Sequence, residues 1–362
     1  MTRLLVVDDS PLMRRVLGDT FRQAGGFEVE IAHDGMEAID KLHAFGPDVI
    51  TLDIHMPGMD GLACLDRIML ERPTPVVMVS ALTAQGANET LEAMALGAVD
   101  FIAKPAGAPS LAIDTLAPPL IEKVRAAAGA RIPRSRRLLE RVRLRSAKPV
   151  PAPQSKPASR SRAGRAPAVA GEGLVLVGCS TGGPPALEAL LTPLAADFAW
   201  PIVIAQHMPA SFTGPLARRL DKICAVTVSE IGRLTPLEAG HAYIGRGDAD
   251  LIVTRRSSRL VGMPAPSHPD YHWHPSVDRL VASAMEILAP QQLVGVLMTG
   301  MGADGSTTMR ALKESGGRTI AESENSAVVW GMPGALVRAG GASMVAPLES
   351  IAGDLVALMT RG

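Results

Sequence analysis

Short apolar runs recur through the first third of the chain, at Leu4–Val7, Phe27–Ala32, Asp48–Leu52, Pro75–Ser80 and Asp100–Ala103. Between them, Leu12–Ala24, Met36–Ala44, Leu62–Leu70 and Gly86–Leu96 carry apolar residues three and four apart, and Ile113–Ala127 follows with the same period. Strand and helix in strict alternation predict βαβ units, and hence a doubly wound α/β domain of five parallel strands covered on both faces. From Arg131 to Arg165 the pattern lapses into Pro, Ala and Ser with twelve Lys/Arg against the single Glu140. Such a stretch buries too little apolar surface to fold alone and reads as a tether, with Ser135–Leu144 able to form a short basic helix when docked. A second alternation begins at Leu174. Strands are expected at Leu174–Val177, Ile202–Ala205, Ala225–Val228, Ala242–Ile244, Leu251–Val253, Leu293–Met298 and Arg318–Ala321. Helices are expected at Pro185–Leu194, Phe212–Leu220, Val277–Leu288, Ser306–Ser315, Pro333–Ala339 and Leu348–Met359. This predicts a second doubly wound, Rossmann-like α/β domain, mostly parallel, with an antiparallel hairpin around 242–261. The chain divides into 1–128, a linker 129–172, and 173–362.

Composition narrows the function classes. The 362 residues suffice for two cores, and 47% hydrophobic content excludes a disordered chain. The formal net charge is zero and aromatics are 3%, so neither electrostatics nor stacking platforms point to nucleic acid. No helix-turn-helix pattern follows the linker, which removes the usual DNA-binding output. Cys64, Cys179 and Cys224 lie far apart without CxxC spacing, as expected of a reducing compartment and no structural metal site. The first apolar run stops at Asp8, too short for a signal peptide, and no uncharged run reaches membrane-spanning length. The expectation is a soluble cytoplasmic protein.

In parallel sheets, chemistry collects at the carboxyl ends of the strands. In the first domain those ends carry Asp8 and Asp9, Asp53, Ser80, and Lys104. Three close carboxylates repel one another unless a hard cation sits among them, and Mg²⁺ matches their oxygen ligands. A carboxylate beside a Mg²⁺-held phosphoryl group is a competent nucleophile, with a lysine to neutralise the added charge and a serine hydroxyl to bond a phosphoryl oxygen.

Leu4-Leu-Val-Val-Asp-Asp-Ser10, Thr51-Leu-Asp-Ile-His-Met-Pro-Gly-Met-Asp-Gly61, Val77-Met-Val-Ser-Ala81 and Gly97-Ala-Val-Asp-Phe-Ile-Ala-Lys-Pro105 together resemble the receiver domain of bacterial response regulators, a flavodoxin-like fold. The resemblance implies that Asp53 accepts a phosphoryl group from a histidine kinase and that Asp8 and Asp9 hold Mg²⁺ with it. It further implies that Lys104 pairs the phosphoryl group and that Ser80 and Phe101 form the switch couple. His55 stands where that family often has an acidic residue.

In the second half, Leu174–Val177 runs straight into Gly178-Cys-Ser-Thr-Gly-Gly183. Gly178 to Gly182 fits the nucleophile-elbow pattern G-x-S-x-G, and fits equally a glycine-rich loop that only turns the chain. Gln206-His207 follows the second strand, and Thr299-Gly-Met-Gly-Ala-Asp-Gly305 follows Leu293–Met298. Ser180, His207 and Asp304 thus stand on one sheet edge, where they can meet as nucleophile, base and orienting carboxylate. A rival reading takes Gly300-x-Gly302-x-x-Gly305 as a dinucleotide fingerprint, with Glu322 or Glu324 as its acidic partner. Asp304 lies inside the turn that would receive a pyrophosphate and would repel it, which favours the triad. His268, His272 and His274 are closely spaced, but Pro269 and Pro275 mark a loop and no cysteine or carboxylate cluster joins them, so a metal site is not expected.

Gly178-Cys-Ser-Thr-Gly-Gly183, Gln206-His-Met-Pro209, Pro275-Ser-Val-Asp278, Met298-Thr-Gly-Met-Gly-Ala-Asp-Gly305 and Val328-Val-Trp-Gly-Met-Pro333 resemble the catalytic domain of the chemotaxis protein-glutamate methylesterases. The resemblance carries the nucleophile to Ser180, the base to His207, the orienting carboxylate to Asp304 and the oxyanion donor to the backbone N–H of Met301, with Thr181 in the same polar cluster. It implies a phosphorylation-activated carboxylic ester hydrolase that also deamidates glutamines and needs no cofactor for the esterase step. The implied partners are a chemotaxis histidine kinase and methyl-accepting chemoreceptors, with the enzyme acting as a monomer and without membrane insertion. Two departures fall near the substrate edge: His272-Trp-His274 replaces an arginine-containing lead-in, and Arg246-Gly-Asp248 replaces a more proline-rich turn. A binding protein that holds a ligand without turnover is the alternative from another class.

Overall fold

The computed structural model of the chain describes residues 1–81, 83–104, 109–132 and 172–360. The predicted basic helix at 135–144 and nearly all of the predicted linker lie outside these residues. The chain divides into two compact units, Met1–Lys148 and Pro149–Gly362.

The first unit alternates as the apolar periods require. Its strands are β1 (Thr2–Val7), β2 (Phe27–Ala32), β3 (Val49–Asp53), β4 (Val76–Ala81) and β5 (Asp100–Lys104). Its helices are α1 (Pro11–Ala24), α2 (Gly35–Ala44), α3 (Gly61–Glu71), α4 (Ala84–Ala95) and α5 (Pro109–Ala128). The five strands are parallel in the order β2-β1-β3-β4-β5. Leu4, Leu5, Val6, Ile50 and Leu52 are fully buried, as expected of strands covered on both faces. Ser10, Asp34, Asp60 and Thr83 each accept from a backbone N–H of the helix that follows. These caps start each helix sharply behind its strand, so the strand-end side chains share one edge.

The second unit begins with β6 (Leu174–Cys179), α6 (Gly183–Leu191), β7 (Ile202–Gln206), α7 (Ala210–Ile223) and β8 (Thr227–Ile231). It continues through β9 (Thr235–Pro236), β10 (His241–Gly245), β11 (Asp250–Arg256), β12 (Arg259–Ala265) and α8 (Val277–Met285). It ends with β13 (Leu293–Leu297), α9 (Ser306–Glu314), β14 (Arg318–Glu322), α10 (Met332–Arg338), β15 (Met344–Ala346) and α11 (Leu348–Thr360). Seven strands form one parallel sheet in the order β15-β14-β13-β6-β7-β10-β8. β6 is the switch point: the chain leaves it toward β7 and later returns to its other side as β13. Sites in doubly wound sheets form in the crevice at such a point.

The hairpin expected around 242–261 is displaced. Residues 241–245 belong to the parallel sheet, and the hairpin is β11–β12, joined by Ser257 and Ser258, both at positive φ. With β9 it makes a separate three-stranded antiparallel sheet. The polar run Arg255-Arg256-Ser-Ser-Arg259 conceals the hairpin in the sequence, because its exposed end carries no apolar alternation. β9 and β15 are too short for any periodicity to register.

Candidate active site and phosphoacceptor pocket

Asp8 and Asp9 follow β1, Asp53 ends β3 and Lys104 ends β5, so parallel pairing brings them to one edge. Lys104 Nζ lies 2.7 Å from Asp53 Oδ2 and 3.0 Å from Asp8 Oδ2. One ligand oxygen from each of Asp8, Asp9 and Asp53 falls within 4.8 Å of the others. Asp8 Oδ2 is buried with no directed hydrogen bond. Burial, aided by the Asp53 charge, raises the Asp8 carboxyl above its ordinary range despite Lys104. Burial works against the Lys104 ammonium, but Asp53 and Asp8 more than compensate and raise it. A pocket that gathers three carboxylates, and that drives one of them toward protonation when a single lysine is their partner, fits a divalent cation.

Ser80 is fully buried and donates to the Gly86 carbonyl of α4 at 3.3 Å. Phe101 is already buried, with Lys123 Nζ 5.3 Å from its ring centroid. His55 Nε2 approaches Glu89 Oε2 of α4 at 3.2 Å, so the residue that departs from the receiver pattern is paired across to that helix.

In the second unit the turn after β6 is built as the glycines suggest. Gly182 adopts φ +77° and α6 starts at the next residue, lifting Ser180 onto the sheet edge. Cys179 pairs in register with Gln206, and the His207 N–H donates to the Cys179 carbonyl at 3.0 Å, which sets Ser180 and His207 at the ends of neighbouring strands. On the other side, the Ser180 N–H donates to the Thr299 carbonyl at 3.0 Å. A Cβ at Gly300 would come 2.7 Å from Ser180 Cβ, so only glycine lets that loop approach the serine.

Asp304 is held from every side. His207 Nε2 lies 2.8 Å from its Oδ2, which also accepts from the Val277 N–H at 2.7 Å. Its Oδ1 accepts from Ser276 Oγ and from the Asp278 N–H, each at 3.0 Å. The carboxylate therefore sits on the N-terminus of α8, where free amides and the helix dipole favour negative charge. Burial would raise its pKa, but His207 and the two amides outweigh it and hold Asp304 below the ordinary carboxylate range. An ionised carboxylate in the Gly300–Gly305 turn would repel a pyrophosphate, which argues against the dinucleotide reading. His207 is buried, and among the described residues its other ring nitrogen, Nδ1, has no hydrogen-bond partner. Among the described residues no hydrogen bond joins Ser180 Oγ to His207, and none takes the Met301 N–H.

Cys179 is inert beside this centre. Its thiol donates to Gln206 Oε1 at 3.1 Å, and full burial pushes its pKa far up. Gln206 in turn donates Nε2–H to the carbonyls of Ser180 and His207 at 3.0 and 3.1 Å, tying the two strand ends together. The three histidines of the 268–274 loop are engaged separately: His274 Nδ1 with Asp250 at 2.9 Å, His268 Nδ1 with the Asp270 N–H at 3.3 Å, and His272 edge-on to Trp273.

Several positioning residues escaped the sequence reading. Asp278, in the Pro-Ser-Val-Asp motif, accepts from the Thr308 N–H and Oγ1 at 2.9 and 2.7 Å, so α8 and α9 cap one another through Asp304 and Asp278. Ser276 as the helix cap was the available signal. Thr299 Oγ1 donates to the Thr181 carbonyl at 2.9 Å and accepts from the Val329 N–H at 3.0 Å, which is how Thr181 joins the polar cluster. Glu322, weighed as a ribose ligand, instead ends β14 fully buried, accepting from the Thr299 N–H at 2.8 Å and Ser326 Oγ at 3.0 Å.

Burial pushes Glu322 up to about 7, against the lowering effect of those two donors. Between its ordinary range and about pH 7 the folded chain thus keeps a proton that the unfolded chain has lost. The associated stability is complete below the unfolded pKa and falls as pH rises through about 7, by up to about 3 kcal/mol. Glu322→Gln should flatten this pH dependence in urea melts of the second unit. A slope unchanged by the substitution would assign the titration to another group.

The two edges define a class: a response regulator whose output half is a hydrolase. Residues 4–114 match the response regulator receiver domain, and residues 175–355 match the CheB methylesterase family. The chain belongs to the CheB methylesterase family. A protein-glutamate methylesterase/protein-glutamine glutaminase of Rhodopseudomonas palustris is 55% identical, over 98% of both chains. One of Vibrio cholerae is 44% identical over 93% of this chain and 90% of its own. The crystal structure of the Thermotoga maritima CheB methylesterase catalytic domain matches 52% of this chain and 99% of its own, at 34% identity and a TM-score of 0.50. Among the described residues no helix is long and apolar enough to cross a membrane.

Proposed function

We infer that this chain hydrolyses glutamate methyl esters on chemoreceptors, and deamidates receptor glutamines, under control of phosphorylation at Asp53. The reading rests above all on one feature: an imidazole bound at Nε2 to a carboxylate with three further donors, with Nδ1 buried and unpartnered at the strand end beside Ser180. With Nε2–H donated to Asp304, the Nδ1 lone pair is the base. Ser180 Oγ attacks the γ-carbonyl of the ester as its proton passes to Nδ1. The Met301 N–H receives the oxyanion, a donor of a kind that typically contributes about two to three orders of magnitude in rate. His207 returns the proton to the departing methoxide, methanol leaves, and water releases the glutamate by the same path. A glutamine side chain follows the same course with ammonia as leaving group. Thr181 acts as scaffold through its carbonyl to Thr299.

In the receiver, Asp8, Asp9 and Asp53 would hold Mg²⁺, which when bound offsets the charge of the incoming phosphoryl oxygens. Asp53 takes the phosphoryl group from a histidine kinase, and Lys104 pairs with it. Ser80, whose hydroxyl is engaged with Gly86, would turn toward the phosphoryl group and shift α4. Phe101 starts from a buried position, so its share in the switch is repacking rather than an inward swing. The receiver would restrain the esterase until phosphorylated. An allosteric coupling of ~1–3 kcal/mol corresponds to about 5- to 150-fold activation.

The test is methanol release from methylated receptor membranes, with and without a small-molecule phosphodonor. Stimulation in that range is expected for the native chain, and Asp53→Asn should hold the rate at its basal value. Equal stimulation of both chains would remove Asp53 from the control step, and no methanol from either would remove the esterase assignment.

A further inference from the structure

The loop before α8 places an aromatic ring on the imidazole. Trp273 stacks on His207 with ring centroids 5.0 Å apart and planes 9° from parallel. His272 meets the indole edge-on, at 4.8 Å and 88°. The next residue pins the loop: His274 Nδ1 meets Asp250 Oδ1 at 2.9 Å, and the Ser276 N–H donates to the same oxygen at 3.1 Å. Asp250 is fully buried and also binds Arg279. Indole Nε1 lies 3.8 Å from where a Gly302 Cβ would stand, so the ring reaches from His207 to the loop that carries Met301.

We propose that Trp273 is a positioning residue for the esterase reaction, holding the plane of His207 and facing the positive charge that the imidazole gains when it takes the serine proton. The proposal rests on His207 being the base. One hydrogen bond at Nε2 leaves a ring free to rock about that bond, and rocking moves Nδ1 off the line to Ser180. A parallel indole blocks the rocking on one face. The same face attracts an imidazolium more than a neutral imidazole, because the ring quadrupole is negative above the plane. The first effect aligns Nδ1 before the attack and the second acts as charge develops; neither touches the substrate, so both raise the turnover rate rather than ground-state substrate binding.

The test uses the full-length chain with phosphodonor present and methylated receptor membranes as substrate. Trp273→Leu should lower kcat about 10-fold with KM within about twofold, and Trp273→Phe, which keeps a π face, should stay within about threefold of the native kcat. Trp273→Met supplies the same comparison if the leucine variant does not fold. A native kcat in both the leucine and methionine chains overturns the proposal, as does a rise in KM at constant kcat, which would make Trp273 a substrate contact. His207→Gln separates the two levels of inference: a native rate in that chain overturns the base assignment itself, whereas its loss alongside a native Trp273→Leu rate overturns only the role of the indole.

Discussion

Ser180→Ala is expected to abolish methanol release, lowering the rate by at least about 10⁴-fold and leaving what the oxyanion site and binding alone supply. The same substitution ends labelling by a fluorophosphonate probe. The loss should be purely chemical. Ser180 Oγ makes none of the described hydrogen bonds, and its backbone contacts to Thr299 and Gly183 survive in alanine, so the urea midpoint should stay within about 0.5 kcal/mol of native. Cys179 cannot take over, because its thiol is fully buried, raised in pKa and bonded to Gln206. Turnover that persists in the alanine chain would assign the attack to another nucleophile and end the Ser180 mechanism.

Asp304→Asn is expected to cost roughly 10³- to 10⁴-fold in kcat, for a reason specific to the tautomer. The carboxylate accepts at both oxygens, from Nε2 of His207, two amides and the Ser276 hydroxyl. A carboxamide has one oxygen for four donors. If the oxygen takes the Oδ1 place, serving Ser276 and the Asp278 N–H, its NH₂ faces both His207 and the Val277 N–H and forces the ring to carry its proton on Nδ1, where the serine needs a lone pair. Because a helix N-terminus loses its charge partner as well, stability should fall by about 1–3 kcal/mol. Methanol release and a urea melt on the same variant check both halves. A kcat within tenfold of native would demote Asp304 to a helix cap alone.

Those expectations also show what could and could not be read from the chain. The elements of both units were legible because an apolar run followed by a three-to-four period is written in consecutive residues. Ser180, His207 and Asp304 were legible as strand-end residues, since each directly follows an apolar run. Gln206, Thr299, Asp278 and Trp273 were not, although all four lie inside segments that drew attention. Their roles consist of partners 26 to 118 residues away, such as Ser180 for Gln206 and Thr181 for Thr299. Glu322 attracted a ligand-binding reading because its spacing suited one, whereas its burial under Thr299 and Ser326 makes it a brace. The hairpin was misplaced for a related reason: Arg255 to Arg259 hides its turn, and only pairing Val253 with Gly262 reveals it.

By itself, then, the sequence determined the two runs of α/β elements, the acidic and basic strand ends of the receiver, and the three side chains offered at the edge of the output half. Each follows from local backbone preference and from chain direction, which puts the last residue of every strand on the same side of a parallel sheet. The tertiary structure alone decided that β6 lies between β7 and β13, so that the strand ends bearing Ser180, His207 and Asp304 lie side by side and the imidazole meets the carboxylate. It alone set the α8 amides against Asp304 and an indole against His207. Strand order and loop docking depend on how distant apolar faces bury one another, and no stretch of consecutive residues carries that information.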